Sequence, residues 1–87
     1  MNLVKGMAKK LVGRITHFYP NISVAVVELK GTLKQGDKIA IQGKSNFEQQ
    51  VSSMQIDNKP VKEAKAKQSI GLKIVQPAME KDLVYTL

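Results

Sequence analysis

The chain has 87 residues, room for one small domain, because a second core would need at least ~50 more residues. Fourteen basic residues against seven acidic ones leave a net charge of +7, which favours polyanionic partners. No cysteine is present and His17 is the single histidine. A disulfide framework, a thiolate zinc site and a histidine-rich metal site are therefore excluded, and neither a metal nor another cofactor is expected.

Thirteen of the basic residues are lysines and Arg14 is the one arginine. Guanidinium forks for bidentate reading of guanine edges are almost missing. The aromatic residues are Phe18, Tyr19, Phe47 and Tyr85, so the core must be built mainly from Val, Ile and Leu, which favours strands. No run of ~18 apolar residues occurs and residues 1–10 hold no signal-peptide core, so no membrane role and a cytoplasmic location are expected.

Residues 1–10 contain Lys5, Lys9 and Lys10 and no acid, the composition of a flexible basic arm. Met7-Ala8-Lys9-Lys10 suits a native start equally well. Together with Arg14 the arm supplies four of the seven net charges. The domain itself is expected over 11–87 and is only mildly basic.

Leu11, Val12, Ile15, Phe18 and Tyr19 form a β-rich run that Pro20-Asn21 ends in a turn. In the next run, Ile22 to Leu29, the residues Val24, Ala25, Val26 and Val27 leave no polar face, which predicts a strand buried on both sides. Gly31 and Gly36-Asp37 punctuate the link to a third strand, where Ile39 and Ile41 alternate with Lys38, Ala40 and Gln42. A loop of Gly43-Lys44-Ser45-Asn46 follows.

From Phe47 to Asp57 the apolar residues change parity, with Phe47 and Val51 on odd positions and Met54 and Ile56 on even ones. This predicts a bulge or bend near Ser52-Ser53. Asn58-Lys59-Pro60 reads as a turn, and Val61 to Lys67 as one short helical or irregular turn. Ile70, Leu72 and Ile74 alternate again, and Leu83 to Leu87 closes the chain. Six short strands with turn signals between them make the fold all-β. Closure removes exposed edges at this size, so a small closed six-stranded β-barrel of Greek-key type is expected.

Catalytic motifs are absent from the sequence. Gly36 and Gly43-Lys44-Ser45 echo a phosphate-binding loop, but six residues intervene where four are needed, and a strand pattern follows where a helix must open. His17 has no nucleophile or carboxylate nearby in sequence. The serines lack Gly-x-Ser-x-Gly. Glu28, Asp37, Glu48, Asp57, Glu63, Glu80 and Asp82 are scattered singly, so no paired acid or metal cluster is indicated and no enzyme is expected. Lys59, Lys62, Lys65 and Lys67 alternate with Asp57 and Glu63 as a solvated loop would. The candidate RNA-binding residues are Lys9, Lys10, Arg14, His17 and Tyr19, which pair cations for phosphates with rings for stacking, together with Lys44.

Gly13-x-Ile15, Ala25-Val26 and Gly31-Thr32-Leu33-Lys34-Gln35-Gly36-Asp37-Lys38-Ile39 together resemble the second domain of translational GTPases, the β-barrel of the elongation-factor Tu type. The likeness continues through Gly43, Phe47, Val51 to Gln55, Val61, Ala64, Ile70-Gly71-Leu72 and Asp82 to Tyr85. It looks closest to small stand-alone proteins called translation elongation factor-like, and the barrel at the end of some U32-family peptidase-like proteins is also similar. The resemblance implies contact with ribosomal RNA or tRNA. It implies no GTP hydrolysis, because the nucleotide-binding domain of those factors has no counterpart. Ala25-Val26 stands where tRNA-binding barrels place a glycine, and no binding residue is carried over. The expected function is a non-enzymatic, translation-associated module that binds RNA or the ribosome through lysines. The alternative is an accessory barrel that docks on a larger enzyme such as a U32 peptidase-like protein.

Overall fold

A computed structural model of the chain describes residues 9–87. The first eight residues of the expected basic arm lie outside that range. Ten strands follow in order: β1 Lys10–Tyr19, β2 Val24–Leu29, β3 Leu33–Lys34, β4 Lys38–Gln42, β5 Asn46–Gln50, β6 Met54–Ile56, β7 Lys59–Val61, β8 Glu63–Ala64, β9 Ser69–Lys73 and β10 Leu83–Thr86. Lys10, assigned to the arm by composition, is the first residue of β1. No described helix is long and apolar enough to cross a membrane.

The fold is all-β, and its paired strands run antiparallel. It is not a closed six-stranded barrel. Eight strands form one curled, open sheet in the order β5-β4-β10-β1-β2-β9-β6-β7, and β3 with β8 form a separate ribbon. The expected fourth strand is divided at Val51–Ser53 into β5 and β6, where the parity of its apolar residues changes. The expected turn over Val61 to Lys67 contains no helix; it ends β7, forms β8 against β3 and then turns back.

The curl follows from β1, which lies between β10 and β2. Val12 is an extra residue against β10, and Thr16 an extra residue against β2. Each bulge inserts one residue and sharpens the local twist. Val12, Ile15 and Phe18 therefore point inward at intervals of three instead of two. They pack with Val27, Leu29, Leu33, Ile39, Ile41, Met54, Leu72 and Val84 in a single core.

β2 departs from the expected two-sided burial. Ala25, Val27 and Leu29 are buried, whereas Val24 and Val26 on its other face are only half-buried. In β4, Ala40 is buried along with Ile39 and Ile41, because Tyr85 and Glu48 stand opposite it on the flanking strands and cover its small side chain.

β5 at one end of the ladder and β6, next to the strand at the other end, are joined by three residues, which span at most ~10 Å. The ends of the curl are thus brought together without a backbone ladder. The Gln49 amide bridges them: its Nε2 donates to the Lys73 carbonyl at 3.0 Å and its Oε1 accepts from the Val75 N–H at 2.8 Å. The β3–β4 turn also closes on the bend. Gly36 N–H donates to the Val51 carbonyl, and Val51 N–H to the Asp37 carbonyl, both at 2.8 Å. Gly36 has φ +93° with open space around a built Cβ, so backbone conformation requires the glycine there. Leu33, fully buried, anchors the approach to that turn.

Candidate docking surface

The β1–β2 turn and the chain between β9 and β10 run beside each other at one end of the sheet. Ile74 N–H donates to the Ser23 carbonyl at 3.0 Å, and Lys73 Nζ reaches the Ile22 carbonyl at the same distance. Further on, Lys81 N–H donates to Ile15 at 2.7 Å and Ile15 N–H to Asp82 at 2.8 Å. Residues 74–82 therefore cross from the end of β2 to the middle of β1. These two segments carry Tyr19, Ile22, Val75 and Met79, four of the six exposed large hydrophobic residues among those described.

A cavity of about 440 Å³ opens between these segments, lined by Phe18, Pro20, Lys44, Ala78, Met79, Glu80 and Lys81. A smaller one of about 200 Å³ adjoins it across Glu80 and Lys81 and reaches Arg14 and Thr16. The common floor is β1, and the walls are two loops.

One carboxylate holds those loops. Asp82 is 2% exposed, the one buried charged residue among those described. Its Oδ1 accepts from Lys44 N–H at 2.8 Å, and its Oδ2 from Met79 N–H at 3.0 Å and Ser45 N–H at 3.3 Å. Burial pushes the carboxyl pKa up, but the Met79 and Lys44 N–H groups and Ser45 outweigh it and hold the group below its ordinary value. A Cβ on Gly43 would collide with this carboxylate, and the φ of +149° there disfavours side chains as well. The Gly43-Lys44-Ser45 letters thus do form an anion-holding nest of successive N–H groups. The anion is the chain's own Asp82.

The six residues expected to bind RNA are spread along β1 and beyond. Lys9 Nζ donates to Gln42 Oε1 at 2.6 Å and stands 4.4 Å from the Tyr85 ring centre. Lys10 begins β1 opposite Thr86. Arg14 pairs with Glu28 at 3.4 Å. His17 Nδ1 lies 3.4 Å from Glu80 Oε2, and its ring meets Tyr19 edge-on at 4.4 Å. Lys44 lines the larger cavity. His17 and Tyr19 stand toward one end of β1 and Lys10 at the other, while Lys44 follows two residues after Gln42, the residue that Lys9 reaches. Asp82, Ala78, Met79 and Lys81 were not singled out from sequence. Asp82 read as one more solitary acid, and two of its three partners are 38 and 37 residues away in the chain. No group of three or more potential metal-ligating side chains lies together among the described residues.

No family model matches the chain. An uncharacterized protease of Methanocaldococcus jannaschii is 41% identical over 90 residues, covering 97% of this chain and 22% of that protein. The chain thus spans about a fifth of the length of the curated relative it matches. Among solved structures, the C-terminal domain of a Geobacillus thermoleovorans protein named as a U32 peptidase superposes with a TM-score of 0.84 at 17% identity, covering 90% of this chain and 92% of that one. The selenomethionine variant of the same domain gives 0.81 at 18% identity, with 86% and 96% covered. At these identities the structural likeness shows a shared fold.

These matches correct the attribution to the translation elongation factor-like proteins and the ribosome association drawn from it. The residues behind that attribution are turn and packing devices, Gly36-Asp37 at the β3–β4 turn and Leu33 in the core. Such devices report a fold and not its employment.

Proposed function

We propose that this chain is a non-enzymatic accessory domain that docks on the body of a larger U32-type protein. The observation that carries this is the 41% identity extending over 97% of the chain while matching only 22% of the Methanocaldococcus jannaschii protease. A segment of that proportion supplies a module, with most of the larger protein lying outside it. The occurrence of the same fold as a C-terminal domain in Geobacillus thermoleovorans supports the reading. So does the surface: an apolar floor of Phe18, Pro20 and Ala78 lies open beside the exposed Met79, while His17 faces Glu80 and Asp82 is filled by backbone donors. The one buried carboxylate there is engaged in holding structure.

The test is calorimetric titration of the 87-residue chain into the Methanocaldococcus jannaschii protein from which the matching 90 residues have been removed. Saturable binding is the expected outcome. Failure to saturate up to about 1 mM, equivalent to roughly 4 kcal/mol of binding energy, would sink the proposal.

A further inference from the structure

The geometry points to the groove between the β1–β2 turn, the Gly43–Ser45 loop and residues 75–82 as the point of attachment, taking a polypeptide segment that carries an apolar side chain flanked by carboxylates. The inference rests on the docking reading above and names the partner's chemistry. The floor is apolar: Ala78 is buried and Phe18 half-buried, with Pro20 beside them. Met79, 49% exposed, is an unbranched side chain able to close over an incoming group. The cavity of about 440 Å³ has room for one large apolar side chain with its neighbours.

The rim carries the charge complement. Lys44 and Lys81 are exposed on the two loops, and neither forms an ion pair among the described residues. The third charge, Glu80, is turned to His17 at 3.4 Å. Carboxylates on either side of an apolar anchor would meet the two lysines. A nucleic acid gains less from this groove, because phosphates would use the two lysines but not the apolar floor of Phe18, Pro20 and Ala78 between them. Asp82, by bonding to both loops, keeps the groove open in the free protein.

Amide NMR titration of the chain with the synthetic hexapeptide Asp-Glu-Phe-Leu-Glu-Asp tests the assignment. Two controls accompany it, a hexapeptide with lysine at every acidic position and a uridine dodecamer. Saturable movement of the Phe18, Lys44, Met79 and Lys81 signals by the acidic peptide alone supports the assignment. Reversing both rim charges, Lys44→Glu with Lys81→Glu, should weaken that binding about tenfold. Met79→Ala, which leaves the charges in place, should weaken it as well. Both variants must retain a dispersed spectrum. Equal binding of the lysine peptide, movement of signals elsewhere, or tighter binding of the RNA would overturn it. The docking reading fails separately. If the truncated protease binds the charge-reversed chain as tightly as the native one, the groove is wrong and docking stands. If the protease binds neither while the acidic peptide behaves as expected, docking is wrong and the groove stands.

Discussion

Replacing Asp82 by asparagine exchanges one carboxylate oxygen for an NH₂ group and should remove much of what fixes the groove. The native carboxylate accepts three backbone N–H groups, at 2.8, 3.0 and 3.3 Å. An amide offers one oxygen. If that oxygen takes the side of Met79 and Ser45, the amide NH₂ faces the Lys44 N–H, and one bond is exchanged for two opposed donors. Losing a charge-assisted bond costs ~1.5–3 kcal/mol, and the two that remain weaken toward neutral values, so the total is about 2–5 kcal/mol. That is a large share of the ~5–15 kcal/mol typical of a domain. Urea unfolding of both proteins near pH 7 measures the loss, and repetition in acid checks its origin. The folded carboxyl is held below its ordinary value of 3.8, so its stabilisation is present above that value and is lost as pH falls through the lower folded one. The gap between native protein and variant should therefore shrink in acid. A difference below about 0.5 kcal/mol at neutral pH, or one that stays constant down to roughly pH 2.5, would refute the clamp.

Four further substitutions probe the fold itself. Gln49→Ala removes the bridge between β5 and the end of β9, with an expected loss of ~1–2 kcal/mol; hydrogen exchange should quicken at the Val75 amide, and an unchanged rate there would show that the ends are held otherwise. Lys67→Gly relieves a left-handed residue at φ +74° and should raise the melting temperature, the gain being under ~1 kcal/mol because glycine also loosens the unfolded chain; a fall would mean the side chain makes contacts that outweigh the strain. Ile39→Ala and Leu72→Ala, both fully buried, should each cost ~2–5 kcal/mol in urea unfolding, and a loss below ~1 kcal/mol would show that these positions do not face the core.

What could be read from sequence were the features that act through neighbours a few residues away. The alternation over Ile70, Leu72 and Ile74, the Gly36-Asp37 turn and the parity change near Ser52-Ser53 all depend on local periodicity, and each corresponds to an element or a break in the structure. The bulges of β1 were harder. Val12, Ile15 and Phe18 recur at three, a spacing that looks helical or irregular until Val12 and Thr16 are seen as extra residues. Closure was misjudged for a related reason. Whether β5 finds a ladder partner depends on how the curled sheet ends meet, and the Gln49 amide that spans them belongs to a strand that reads as ordinary polar alternation. Asp82 was illegible because two of its three N–H donors, Lys44 and Ser45, are brought to it by the fold from a distant loop.

The net charge has the same lesson for function. A total of +7 suggests a polyanion partner only if the cations act together, and the structure divides them. Arg14 is answered by Glu28 and Lys38 by Glu48, while Lys9 lies over Tyr85. The two lysines that matter to the proposed groove, Lys44 and Lys81, contribute little to the total but flank an apolar floor. Two cations beside Phe18, Ala78 and Met79 select differently from a uniform basic face, because phosphate gains nothing from the floor and a mixed apolar and acidic segment gains from both. The distinction rests on what lies between the charges, which is why the same composition is compatible with an RNA binder and the arrangement favours a protein contact.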